Sequence, residues 1–269
     1  MKEMKEMKEI PNHLPARDKN PSNKKEYKYI PKKIFQTWET NQVSPGMYDA
    51  VHTWIDKNPD WEYHFFDDKA RRSFIKDNFP KKVLDAYDAI IPGAFKADLW
   101  RYCVLYIHGG VYVDNKSELL ASLNDLIPND VEFLTVRDSL LNQKGIIESY
   151  VRQSFLCARP KHEFFLKAID LIVSHVKEGY YGFEPISPTG PIVLGRAMNF
   201  CLCRDEYTLH SVGVNNIGGF KYIIWPPFLE GNICTDESGQ TALNYEYATY
   251  RMELSSCFKQ NISHSWRYC

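Results

Sequence analysis

The run AFKADLWRYCVLYIHGGVYVD, residues 94–114, constrains the fold more than any other stretch of the chain. Residues 94–108 carry apolar side chains at helical spacing without a Pro or Gly, the pattern of an amphipathic helix. Gly109-Gly110 closes it, because glycine accepts the backbone conformation that ends a helix. VYV (111–113) then reads as a short strand, and Asp114-Asn115-Lys116 as its end. Side chains alternate along a strand, so Val111 and Val113 face a core while Tyr112 and Asp114 share the opposite side. A helix that feeds a strand in this way sets Asp114 at the strand's carboxyl end, where open α/β sheets bind ligands.

The surrounding text supports the same class. KKIFQTW (32–38) and WEYHFF (61–66) read as strands, and 47–57 as a helix ending before Asn58-Pro59. Asp67-Asp68 caps a helix through 78, another covers 81–90, and Pro92-Gly93 breaks it. Strands near 132–136 and 153–158 and helices over 161–177 and 191–202 follow, and 207–262 reads as β-rich with turns. Alternating strands and helices predict an α/β fold, a mostly parallel central sheet flanked by helices in the Rossmann-like manner. Trp38 and Asp114 both fall at strand ends and are expected to line one crevice.

The domain is expected to occupy 30–269. Residues 1–29 read as a flexible basic tail, because the repeat in MKEMKEMKEI does not hold one helical face and Pro11 and Pro15 follow it. Residues 1–33 hold ten Lys or Arg against five Asp or Glu, although the whole chain is near neutral at −1. That balance argues against nucleic acid as the main partner. With 44% hydrophobic residues in 269, a large core is available. No run approaches the roughly 20 apolar residues that cross a bilayer, and the N-terminus is too polar for an export signal. Seven cysteines, odd in number and without a C-x-x-C pair, suit reduced thiols and a cytoplasmic location.

Several residues are chemically suggestive. Asp98 and Arg101, three apart, share a helix face; they form either a surface ion pair or a donor–acceptor set for sugar hydroxyls. In SPTGP (187–191), Thr189 caps a helix or Gly190-Pro191 forms its first turn, with backbone N–H groups toward a phosphate or an acceptor hydroxyl. Asp138 follows the 132–136 strand and either reaches an acceptor or caps the strand. Tyr180, Tyr181 and Phe183 form an acceptor platform or pack in the core. In ISHSW (262–266), His264 and Trp266 share a side if extended, as a C-terminal flap or as a terminal strand.

The order IPKKIFQTW, NPDWEYHFFDD, ADLWRY…GGVYVD, SPTGP and HSW resembles the DXD-containing sugar transferases of glycosyltransferase family 32. That group includes fungal initiating α-mannosyltransferases and bacterial and large-virus members. The resemblance implies a GT-A-like fold and transfer of a hexose from a nucleotide-diphosphate sugar, with retention, to a carbohydrate, protein or other hydroxyl acceptor. It implies that Gln36, Thr37 and Trp38 belong to the donor site, with Trp38 stacked on the base. Asp98 and Arg101 would hold the donor sugar or ribose, and Tyr112 would sit beside the diphosphate. Asp114 would be the first acid of the DXD motif, and His264, Ser265 and Trp266 would close over the phosphates.

Lys116 departs from the pattern, standing where the second Asp is expected. A Mn²⁺ or Mg²⁺ between acid and diphosphate neutralises the leaving nucleotide in the usual site. An ammonium repels that cation but attracts the diphosphate itself. Asp114, Lys116 and Arg101 are therefore the expected catalytic set, with Asp114 and His264 as candidate ligands of a weaker metal. The alternative is a catalytically weak or inactive protein that binds a nucleotide-sugar or carbohydrate on the same fold.

Overall fold

Strand β6 (Gly110–Val113) runs through the middle of the sheet, and the residues before it explain why it can. Helix α4 (Gly93–His108) precedes it and is buried on almost every side from Phe95 to Leu105. It is a central helix rather than the amphipathic surface helix that its sequence suggests. Gly109 has φ +62°, and a Cβ there would stand 2.6 Å from the Pro160 nitrogen. Gly110 has φ +95°, and its Cβ would stand 2.5 Å from the Lys33 carbonyl oxygen. Both positions thus demand glycine, one to turn the chain and one to admit a neighbouring strand.

The computed structural model describes residues 6–18, 25–138, 151–180, 182, 187–227 and 233–257. Among these, β6 neighbours β3 (Lys33–Thr37), which neighbours β5 (Glu62–Phe66). On its other side lies β9 (Val151–Ala158), then β8 (Phe133–Arg137), β11 (Phe220–Trp225) and β10 (Gly213–Ile217). The β6·β3, β3·β5 and β11·β8 pairings are parallel. Those of β9 with β6 and β8, and of β10 with β11, are antiparallel, so the sheet is mixed rather than mostly parallel. Strand β9 returns between two parallel groups and reverses the direction.

Strand alternation divides the interior into two cores. One lies between the sheet and helices α2 (Asp68–Asn78), α3 (Lys81–Ala89), α4, α6 (Glu163–Glu178) and α7 (Pro191–Cys201). It takes Phe35, Tyr112, Leu156 and Ile224 from the strands. The other takes Ile34, Val111, Val113 and Ile223, and is covered by α1 (Pro45–Asp56), α5 (Leu123–Leu126) and a small sheet of β7 (Glu118–Leu119), β12 (Ile233–Thr235) and β13 (Thr241–Asn244). Tyr112 and the two valines therefore face opposite cores, as the alternation predicts. Trp100 and Trp54, one in each core, have no exposure; burying side chains of this size contributes roughly 1.5–3 kcal/mol each.

Two expectations need correction. Residues 6–18 do not form a free tail. Strand β1 (Lys8–Glu9) pairs with β4 (Gln42–Val43), and β2 (His13–Leu14) adds to the edge of the main sheet beside β5. Ile10, between them, is fully buried. Tyr27 packs edge-on against Trp61 at 5.7 Å, and Lys25 donates to the Asn124 and Ile127 carbonyls at 2.6 Å. One isoleucine and two strand edges anchor a segment whose composition alone reads as solvated. The second correction is α8 (Tyr250–Cys257), a helix in a stretch expected to be strand and turn.

Candidate active site

Asp98 and Arg101 stand on the buried face of α4, and both are nearly inaccessible at 5% and 6% exposure. Buried charges need partners, and these have them. Asp98 Oδ1 accepts from Gln153 Nε2 at 2.6 Å and lies 3.0 Å from Arg101 Nη2; Oδ2 accepts from the Thr189 hydroxyl at 2.7 Å. Arg101 Nη1 donates to the Gln153 carbonyl at 2.9 Å and reaches Asp114 Oδ1 at 3.5 Å. Its guanidinium lies over the Tyr112 ring, 4.5 Å from the centroid, and the Tyr112 hydroxyl donates to Asp114 Oδ1 at 2.7 Å. Tyr102 donates in turn to Gln153 Oε1. The network joins α4, β6, β9 and the turn before α7, and Asp114 is its partly open member, with 24% of its side chain exposed.

The electrostatics follow from this arrangement. Burial raises the Asp98 carboxyl to about 6, with Arg101, Thr189 and Gln153 pulling against it and Asp114 adding to it. Burial alone would lower Arg101; Tyr112, Asp114 and Asp98 outweigh it and hold the guanidinium charged. Asp98 thus fixes Arg101, and Arg101 with Tyr112 fixes one oxygen of Asp114. Asp98 and Arg101, expected beside the donor sugar, have their polar atoms engaged in this internal network.

Two residues further on, the backbone turns. The Ser117 N–H bonds the Asp114 carbonyl at 3.0 Å, so Lys116 lies in a tight turn and not on an extended strand beside Asp114. Its ammonium sits 3.7 Å from the centroid of the Tyr245 ring, 5.5 Å from that of Tyr250, and 3.6 Å from Glu246 Oε1. Arg152 packs on Tyr245 at 4.5 Å and pairs with Asp138 at 3.0 Å. Asp138 is therefore tied to a cation rather than presented alone toward an acceptor. Tyr245, Glu246 and Tyr250 had no signal in the sequence, because they come from a segment 130 or so residues away that meets Lys116 only in the fold.

Other expected site residues are placed differently. Gln36 is fully buried and accepts from the Tyr63 hydroxyl at 3.0 Å; its Nε2 has no partner among the described residues. Thr37 donates to the Phe66 carbonyl and accepts from Arg71 at 2.9 Å. Arg71, 1% exposed, also bonds the Trp38 carbonyl, Glu39, Asp68 and Tyr87, and so pins the end of β3 to α2 and α3. Trp38 is partly buried against the α1-side core. Gln36 and Thr37, expected in the donor site, thus make these bonds inside the fold. Gly190, not Thr189, is the N-cap of α7, which leaves the Thr189 hydroxyl for Asp98. His264, Ser265 and Trp266, with Tyr181 and Phe183, lie outside the described residues. Gln153 was missed; a glutamine inside the apolar run VRQSFLCA was its available signal.

Residues 45–132 match the family described as glycosyltransferase sugar-binding region containing DXD motif. The chain is 45% identical over 85 residues to inositol phosphoceramide mannosyltransferase 2 of Schizosaccharomyces pombe, covering 32% of this chain and 24% of that protein. It is 28% identical over 178 residues to mannosyl phosphorylinositol ceramide synthase SUR1 of Saccharomyces cerevisiae, covering 66% of this chain and 44% of the other. It is 31% identical over 128 residues to the initiation-specific alpha-1,6-mannosyltransferase of Candida albicans, covering 45% of this chain and 32% of the other. The chain thus spans between about a quarter and a half of these relatives' lengths. In fold it is similar to the PaToxG glycosyltransferase, with a TM-score of 0.52 at 18% identity over 64% of this chain and 70% of that one. The matched stretch 45–132 contains the α4–Gly-Gly–β6 unit that ends in Asp114, and over that stretch the chain is similar to the DXD-containing glycosyltransferase sugar-binding family.

Proposed function

We propose that the chain transfers a hexose from a nucleotide-diphosphate sugar to a hydroxyl acceptor, at the surface where the Asp114 carboxylate is partly exposed. The observation that carries this reading is the convergence of Asp98, Arg101, Tyr112 and Asp114 on one network at the carboxyl end of β6. The network leaves one carboxylate edge-on to solvent and locked in orientation, which is how a site holds a polar ligand without reorganising. Mannose is the sugar to test first and an inositol-bearing lipid the acceptor, because the fungal relatives' names specify mannosyl transfer and inositol phosphoceramide.

A divalent cation bridging acid and diphosphate fits this donor set poorly. Asp114 Oδ1 already lies beside the Arg101 guanidinium, Lys116 two residues on adds a second positive charge to the motif, and among the described residues Asp114 belongs to no group of three His, Cys, Asp or Glu side chains within ligand reach. In the proposed reaction Lys116 leaves Glu246 for the donor diphosphate and stabilises negative charge as the nucleotide departs. The acceptor oxygen bonds the anomeric carbon on the face the diphosphate leaves, and its proton passes to the departing phosphate oxygen. Such a front-side displacement gives retention without a protein nucleophile.

The test is a panel of nucleotide-sugars, GDP-mannose first, with released nucleoside diphosphate measured in buffer containing EDTA and again with Mn²⁺. Turnover in EDTA that disappears in Asp114→Asn supports the reading. Turnover that requires Mn²⁺ overturns the metal-free arrangement. A second reading, a nucleotide-sugar-binding protein without turnover, is favoured by the Lys116–Glu246 pair, which neutralises the cation the reaction needs. Donor affinity by calorimetry without nucleotide release from any donor would select it.

A further inference from the structure

We propose that His13, Glu62 and His64 form a site for a divalent transition metal of the zinc class, separate from the Asp114 site, that fastens the N-terminal segment to the edge of the main sheet. One ligand atom from each of the three lies within 4.8 Å of the others. The geometry has a sequence cause. Glu62 and His64 are two apart on β5 and therefore share a face. Strand β2 pairs antiparallel with β5 in the register that sets His13 directly opposite His64, with ring centroids 4.7 Å apart.

The donors suit a borderline-soft ion. Two imidazoles and a carboxylate form a three-ligand set of the kind that holds zinc with a fourth position open, whereas Mg²⁺ and Ca²⁺ prefer oxygen alone. Ligands about 2.0–2.1 Å from a common tetrahedral ion stand roughly 3.4 Å apart. His64 Nε2 and Glu62 Oε2 are already 3.2 Å apart. His64 is held by stacking on Phe35 at 5.1 Å, 18° from parallel. His13 is exposed, and its ring already lies against that of His64. One group competes: the Lys33 ammonium lies 3.8 Å from Glu62 Oε2, and the ion must displace it. Lys33 is itself one-third exposed and reaches water without strain. An ion bound here would join residues 51 apart in sequence and secure a two-residue strand that backbone pairing alone holds weakly.

The experiment is calorimetric titration of Zn²⁺, and of Co²⁺ with its visible absorption, into the chelator-treated full chain and into His13→Ala, Glu62→Gln and His64→Ala. The same titrations are made on Asp114→Asn, which alters the other candidate cation position. One equivalent is expected in the parent and in Asp114→Asn, with a tetrahedral Co²⁺ spectrum. Affinity should fall more than about tenfold in each of the three variants. Zinc should also raise the melting midpoint and slow proteolysis before residue 18 in the parent but not in His13→Ala. The proposal is overturned if His13→Ala and His64→Ala bind zinc as the parent does, if uptake vanishes in Asp114→Asn, if Mg²⁺ binds equally well, or if no equivalent is taken up. All three side chains lie at the surface edge, so equal melting midpoints without metal establish that the variants are folded.

Discussion

Asp114 and Lys116 are two residues apart, yet they are held by different parts of the molecule. Asp114 belongs to a network of α4, β6 and β9 side chains that is buried almost throughout. Lys116, past the turn, is held by Tyr245, Glu246 and Tyr250. The first half of the motif is fixed by the sheet and the second by the region between β13 and α8. A charge change at 116 therefore acts on the attachment of that later segment and, in the proposed reaction, on the potential at the donor diphosphate as well. In a DXD arrangement both acids would face one ion; here the turn separates their tasks.

The largest effect that would separate the halves is Arg101→Ala. It leaves Asp98 and Asp114 without their shared cation in a buried site, a defect that costs about 3–5 kcal/mol. The melting midpoint should fall by roughly 10 °C, since about 2–4 °C accompanies each kcal/mol in a domain of this size. Arg101→Lys keeps the charge but not the fork that spans Asp98, the Gln153 carbonyl and Asp114, and should recover only part of that loss. A midpoint unchanged in Arg101→Ala would show that the Asp114 half is not the rigid one.

Asp114→Asn comes next and should act on chemistry rather than on folding. Its side chain is partly exposed and keeps a hydrogen-bond acceptor for Tyr112. Activity should drop about 10²-fold or more, with stability changed by less than about 1 kcal/mol. Equal losses of activity and stability would make Asp114 a structural member of the network.

Acid should act on the same half in two opposite ways. Asp98 rises to about 6 through burial, so the folded chain takes up a proton there as pH falls toward 6, while the unfolded carboxyl does so near 4. The sign follows: between about 4 and 6 the folded state binds more protons, so this group's contribution to stability is present below that window and is lost as pH rises through it. Activity runs the other way. Protonation removes the charge that orients Arg101, so kcat/KM should fall below about pH 6, and Asp98→Asn should lower activity at neutral pH and flatten that limb. A limb that survives Asp98→Asn belongs to another group.

The two halves also differ in how much of them the sequence disclosed. The Asp98, Arg101, Tyr112 and Asp114 set was legible because short-range rules place it: helical spacing, a glycine close, strand alternation. Thr189 joined it through a cap motif, although as a hydrogen-bond donor to Asp98 rather than as the cap. The Lys116 half was not legible, because Tyr245 and Glu246 reach it through a turn and a long chain return that no local period encodes. The turn at 114–116 was itself legible, since Asp-Asn-Lys has turn chemistry, but not what its lysine would meet. Residues 6–18 were misread because a two-residue strand has no period to detect, and Ile10 alone among charged neighbours carries the burial. Strand direction was hidden as well: β9 looks like any other apolar strand, and only its partners make it antiparallel.

The smallest effect is the most informative about Lys116. If its ammonium serves a bound diphosphate, Glu246 is a competitor that must be displaced, and removing its charge should help. Glu246→Gln should then lower KM for the donor severalfold, the scale of an ion pair worth about 0.2–1 kcal/mol, and leave kcat near its parent value. Lys116→Ala should instead lower kcat by about tenfold, the loss of one charge-assisted contact made as the leaving group develops charge. Arg251 Nε also holds Glu246, at 3.0 Å, so the glutamine keeps a partner and the segment its place. Opposite signs for the two variants mean that the pair is a gate on the donor site. Losses in both, with non-additivity when they are combined, mean that the pair only fastens residues 245–250 to the turn, and that Asp114 works without help from Lys116.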